Sequence, residues 1–160
     1  MGVQRFRRTV SLPSILEGTT EFKVSEITLT NAQIKALRAT PITIGPAPGA
    51  GKFLVFEEAA LVLKAGANVL SEGGVNMAFR YKDGTGAAAS QTIECTGFID
   101  QATDTVTYGV QKVDPIVART VAENQPLVLH NTGGAEFAGN VAADAQLAVR
   151  LVYSIHKFGW

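Results

Sequence analysis

QLAVRLVYSIHKF, residues 146–158, is the stretch whose reading decides the fold. Leu147, Val149, Leu151, Tyr153 and Ile155 recur at every second position, with Ala148, Arg150, Val152, Ser154 and His156 between them. Successive side chains of a β-strand point to opposite faces, so a period of two gives one apolar face and one mixed face. Apolar residues held in that register without Gly or Pro describe a long strand central to a sheet.

The same period reappears on working outward. Residues 53–63, FLVFEEAALVL, read as one long strand or as two joined at Glu57-Glu58. One of that acidic pair would be turned inward unless a bulge intervenes, so a bulge or strand junction is expected there. Glu57 and Glu58 are accordingly candidates for a salt bridge between subunits. Residues 41–44, 76–81, 91–99, 105–113 and 125–130 read as further strands. Residues 82–86, KDGTG, read as a turn in which Asp-Gly supplies a positive φ. Residues 116–124 fit neither period, and 131–140 form a Gly-rich loop. One helix is expected after Thr30. Thr30 and Gln33 form a capping box, Leu29 and Ile34 stand at the staple positions, and Pro41 forces the end. Short strands, turn signals, one helix and no helix–strand alternation describe an all-β fold, an antiparallel β-sandwich or jelly-roll-like body. We assign residues 26–160 to that body. Residues 1–25, whose apolar positions keep no period, read as an extended N-terminal arm.

Charged residues make up 18% of the chain, and 14 Lys and Arg balance 14 Asp and Glu. Soluble domains carry about a quarter charged residues, so a surface this poor in charge suits one partly covered by other subunits. The even balance argues against nucleic acid as a partner, because neutralising phosphates takes clustered basic charge. The local exception is Arg5, Arg7 and Arg8, which with Phe6 and Leu12 make the arm a candidate contact for a protein partner. The lone Cys95 excludes an internal disulfide framework and reads as a buried, inert thiol. No apolar run approaches the ~20 residues of a membrane helix. The residues after the arginines are too polar for a signal-peptide core, so a reducing cytoplasm is the expected site of synthesis.

GPAPGAGK, residues 45–52, imitates a phosphate-binding loop, which requires G-x-x-x-x-G-K-[ST] opening a helix. Counting back from Gly51-Lys52, the first glycine falls on Pro46, and Phe53 stands where the hydroxyl belongs. Pro46 and Pro48 also remove two N–H donors, and the segment leads into a strand. The reading is a stiff corner. His130 and His156 have no carboxylate or cysteine at ligand spacing and read as surface or edge histidines. Asp100 and Asp104 read as a solvated turn rather than a calcium loop. No serine sits in a G-x-S-x-G elbow. We therefore expect no catalytic, metal or cofactor site. The terminal Trp160 is a candidate subunit contact, and Tyr81, Tyr108 and Trp160 are the aromatics that a glycan-binding module would use.

The pattern LTNAQIKALRATPITIGPAPGAGKFLVF, followed by PLVLHNTGGAEFAGN and LAVRLVYSI, resembles small structural proteins encoded by tailed bacteriophages. The resemblance covers residues 29–56 and 125–155, and its motifs are structural. It implies a virion protein with a β-sandwich body, assembled in the host cytoplasm. The preferred role is a capsid decoration or cement protein, trimeric, seated on major capsid protein. The alternative is a tail or fibre component that binds a receptor or carbohydrate.

Overall fold

The computed structural model describes residues 20–113 and 116–159. The strands are β1 (Glu21–Thr30), β2 (Ile42–Gly45), β3 (Lys52–Lys64), β4 (Leu70–Ser71), β5 (Met77–Tyr81), β6 (Thr105–Val110), β7 (Leu127–Asn131), β8 (Ala138–Gly139) and β9 (Gln146–Lys157). The helices are α1 (Asn31–Lys35) and α2 (Arg119–Ala122). A four-stranded sheet runs β1-β9-β3-β6, and a second runs β2-β7-β5, all antiparallel. β4 and β8 form a small separate pair. The second sheet gains an irregular fourth member along β5. There Ala87 O accepts from Tyr81 N, Ala89 N donates to Phe79 O, and Met77 and Ile93 exchange both bonds. The pairs β1·β9, β2·β7, β3·β6 and β5 with residues 87–93 are thus nested, earliest strand with latest. A long antiparallel hairpin folded over in this way is a jelly roll.

The two sheets face each other across an apolar core. Leu54, Phe56, Ala59, Leu61 and Leu63 of β3 and Leu147, Val149, Leu151 and Tyr153 of β9 point inward. Met77, Phe79 and Tyr81 of β5 and Leu127 and Leu129 of β7 meet them. Phe56 and Phe79 pack ring to ring at 5.0 Å between the sheets. The Tyr81 hydroxyl, whose pKa burial pushes up to about 12, donates to Leu54 O at 2.7 Å. β9 is the second strand of the four, as its unbroken period predicted.

β3 is one strand with a bulge at the acidic pair. Phe56 stands opposite Tyr153 and Glu58 opposite Val152, leaving Glu57 as the extra residue. Had Glu57 been paired in a regular ladder instead of bulged out, the inward set Leu54 and Phe56 could not continue as Ala59, Leu61 and Leu63. The Thr30 cap of α1 forms with both of its reciprocal bonds, and Leu29 and Ile34 are fully buried. The helix is short, and the chain turns through residues 36–39. β1 begins at Glu21, so residues 21–25 of the stretch read as arm lie in the sheet; residues 1–19 are outside the described part.

Three sequence readings change. Residues 91–99 are not a strand beyond the Ile93 bridge. Asp100 takes the Gly97 N–H at 2.8 Å and Glu94 that of Thr96 at 3.3 Å, with Gly97 at φ +77°. Local side-chain acceptors outcompete a ladder there. In the 82–86 turn the positive φ belongs to Lys82, at 69°. Gly84 is needed for close approach instead, since a Cβ there would come within 2.5 Å of the His130 ring. Finally, the aperiodic 116–124 contains the one-turn α2, so the described chain has two helices rather than one.

Candidate interaction surface

The outer face of the four-stranded sheet is built from the residues between the core positions. Across one row, Val24 pairs with Val152, Val152 with Glu58, and Glu58 with Val110. The next row holds Glu26, Arg150, Ala60 and Tyr108, and the third Thr28, Ala148, Val62 and Val106. Phe22 extends it at one corner, beside Ser154. Phe22 is 67% exposed, Val24 52%, Val106 51%, Tyr108 70% and Val110 55%. Most of the face is therefore branched aliphatic or aromatic surface in contact with water. Its one described ion pair joins Arg150 Nε to Glu26 Oε1 at 3.0 Å. Both partners are exposed, so the pair contributes ~0–1 kcal/mol. Two shallow depressions of about 380 and 370 Å³ flank the Arg150–Ala60 centre. The period of residues 105–110 revealed which residues share a face, but not that this face is the open one.

Of the acidic pair, Glu58 is exposed on this face, whereas Glu57, the bulged residue, is half-buried at its edge. Glu57 Oε1 accepts from Ser154 Oγ at 2.5 Å, and Ser154 Oγ lies 2.8 Å from His156 Nε2. Sequence reading missed this cluster, although Ser154 and His156, two apart on a strand, necessarily share a face. It resembles a nucleophile–base set but is wired differently. Ser154 is fully buried, and its single proton is directed at the Glu57 carboxylate. Nε2 of His156 is left as the donor to the hydroxyl oxygen rather than the base that removes its proton. The cluster ties the bulge of β3 to β9.

The corner at 45–52 is tied down as well. Gly49 N donates to Asn124 Oδ1 and Gly51 N to Glu123 Oε1, both at 2.9 Å, with both glycines at positive φ. Amides that a phosphate cradle would offer are thus engaged by side chains, and β3 follows where a helix would be required. Arg119 pairs with Glu123 at 2.8 Å and stacks over Phe158, which packs on Phe53, which stacks on His156. Beside this ladder lies a cavity of about 240 Å³ lined by Phe53, Val55, Tyr81, Val117 and Phe158.

His130 is not a surface or edge histidine: it is buried on β7, the middle strand of its sheet, under Gly84. Burial, and then the neighbouring Arg80 charge, hold its pKa below the ordinary 6.5. Cys95 is fully buried, and desolvation raises its thiol to about 12. Asp100 and Asp104 hold separate backbone amides, those of Gly97 and Ala65. The described residues place no three His, Cys, Asp or Glu side chains together as a metal site. Tyr81 is buried and cannot stack on a glycan, whereas Tyr108 is open. Arg5, Phe6, Arg7, Arg8, Leu12 and Trp160 lie outside the described residues.

No family model and no curated protein matches this chain. Among solved structures, a chain of the semi-empty virus-like particle of the giant freshwater prawn Macrobrachium rosenbergii nodavirus is 10% identical, with a TM-score of 0.36. That match covers 88% of this chain and 93% of the other. A chain of infectious bursal disease virus, Gx strain, is 12% identical with a TM-score of 0.31, over 88% of this chain and 37% of the other. At such identities and scores the likeness carries no conclusion about role.

Proposed function

We propose that this chain is a structural component of a virus particle, and within that class a decoration or cement protein that stabilises a shell of major capsid protein. The observation that carries the reading is the open outer face of the β1-β9-β3-β6 sheet. The largest exposed apolar patch on a monomer, commonly a few hundred Å², is often a functional contact site. Jelly rolls serve viral capsids, lectins and cupins alike, so the topology narrows the choice without making it. The resemblance of residues 29–56 and 125–155 to tailed-phage structural proteins selects the virion among these. It also suggests a trimer, located at the capsid surface. Arg5, Phe6, Arg7, Arg8 and Leu12 then contact the shell, and Glu58 and Trp160 contact neighbouring subunits. The chain acts without cofactor or catalysis; the Glu57–Ser154–His156 wiring supports a clamp better than a nucleophile.

Mass spectrometry of purified particles tests this. Hundreds of copies per particle support a capsid role, a handful transfer the chain to the tail or fibre, and none overturns the virion reading. Removal of residues 1–20 should abolish particle occupancy; undiminished occupancy rejects the arm as the clamp.

A further inference from the structure

We infer that the outer face of the β1-β9-β3-β6 sheet is covered by a second copy of this chain. The inference rests on the reading of that face as an assembly surface and names its occupant. Strands ~4.8 Å apart and ~3.4 Å per residue give a four-strand face, about six residues long, on the order of 400 Å² in plan. With side-chain relief, two such faces together bury roughly 1,000–1,200 Å², the lower end of what a specific interface needs. One chain therefore offers and accepts enough area to cover another with no additional partner.

The charges on the face favour the same occupant. Arg150 and Glu58 sit one row apart on adjacent strands, within an apolar surround of Val24, Val152, Val110 and Val62. Glu58 has no ion pair among the described residues, and Arg150 holds only the exposed Glu26. A face carrying one cation and one spare anion is complementary to a copy of itself, because Arg150 of each copy can meet Glu58 of the other. An anionic occupant would leave Glu58 facing like charge in a desolvated centre, which is costly.

The test uses the full chain in light scattering and sedimentation across micromolar concentrations. Wild type should run at a multiple of 16.9 kDa. The double variant Val106→Glu, Tyr108→Glu should weaken self-association at least tenfold, and Glu58→Lys several-fold. Val141→Lys, at an exposed apolar site elsewhere, should change nothing. Circular dichroism checks that each variant is folded. A wild type that stays monomeric overturns the inference, as does an oligomer indifferent to the double variant. Self-association that appears only after removing residues 1–19 overturns it too, by giving the face to that segment. Particle occupancy is scored separately. An oligomer missing from particles sinks the virion reading alone, and a monomer present in particles sinks this inference alone, assigning the face to capsid protein.

Discussion

The two sheets of this jelly roll differ most on their outer faces. On the β2-β7-β5 sheet the outward residues Ala78, Val128 and His130 are buried by the chain's own loops. Gly84 lies against the His130 ring, and Arg80 Nη1 donates to Gly86 O at 2.8 Å. On the β1-β9-β3-β6 sheet, Val24, Val106, Tyr108 and Val110 occupy equivalent outward positions and nothing in the described chain lies over them. The difference is not one of composition, since both faces are apolar enough to bury. It lies in where the long loops go. Among the described residues, the chain supplies a cover for one sheet and leaves the other open.

The harshest way to break this contrast is to exchange the faces of β3. Deleting Ala60 shifts Leu61 and Leu63 to the outer face and Val62 inward, and a one-residue slip of this kind should abolish cooperative folding. Deleting Glu57 instead removes the bulged residue and leaves Ala59, Leu61 and Leu63 facing inward. That variant should fold, with a modest loss from the missing Ser154 bond, and thermal melts of the two deletions side by side decide the point. Next in size, Gly84→Val forces the cover off its own sheet, because the His130 ring occupies the space. We expect a loss of about 1–3 kcal/mol in urea unfolding, and little change if the 82–86 loop is a loose cover.

A smaller effect comes from pH. His130 has a folded pKa below its unfolded value, so below 6.5 the unfolded chain takes up a proton that the folded chain resists. Stability should therefore fall on acidification through the unfolded value of 6.5 and on toward the lower folded one. His130→Gln should flatten that part of the profile, and an unaltered slope would remove His130 as its cause. The smallest effect belongs to the open face. Val24→Thr should leave monomer stability within about 0.5 kcal/mol, whereas a loss above that would mean the residue is already packed.

The fold was legible where side chains alternate without interruption. β9, β3, β6 and β7 announced themselves, as did the bulge, because two adjacent carboxylates in an apolar run leave few other solutions. The capping box of α1 was equally plain. Residues 91–99 misled because their alternation is real while Asp100 and Glu94 divert the backbone. Period alone cannot register that competition. The candidate surface was only half legible: the partition of β6 into two faces follows from spacing, but which face is bare depends on where residues 82–90 pass. His130 misled for the same reason, since a polar residue in a strand gives no sign of the glycine that will lie on it.

One feature of the topology bears on how the chain reaches this state. Glu21 is the register partner of Ile155, so the two ends of the described body emerge side by side from one rim. Paired strands lie about 5 Å apart, close enough for a few glycines to join them. A circular permutant reopened between the exposed Gly73 and Gly74 would keep every ladder. It would also turn the β1·β9 pairing, the most remote in sequence, into a local hairpin. Contacts between distant residues slow folding, so the permutant should fold faster at nearly unchanged stability.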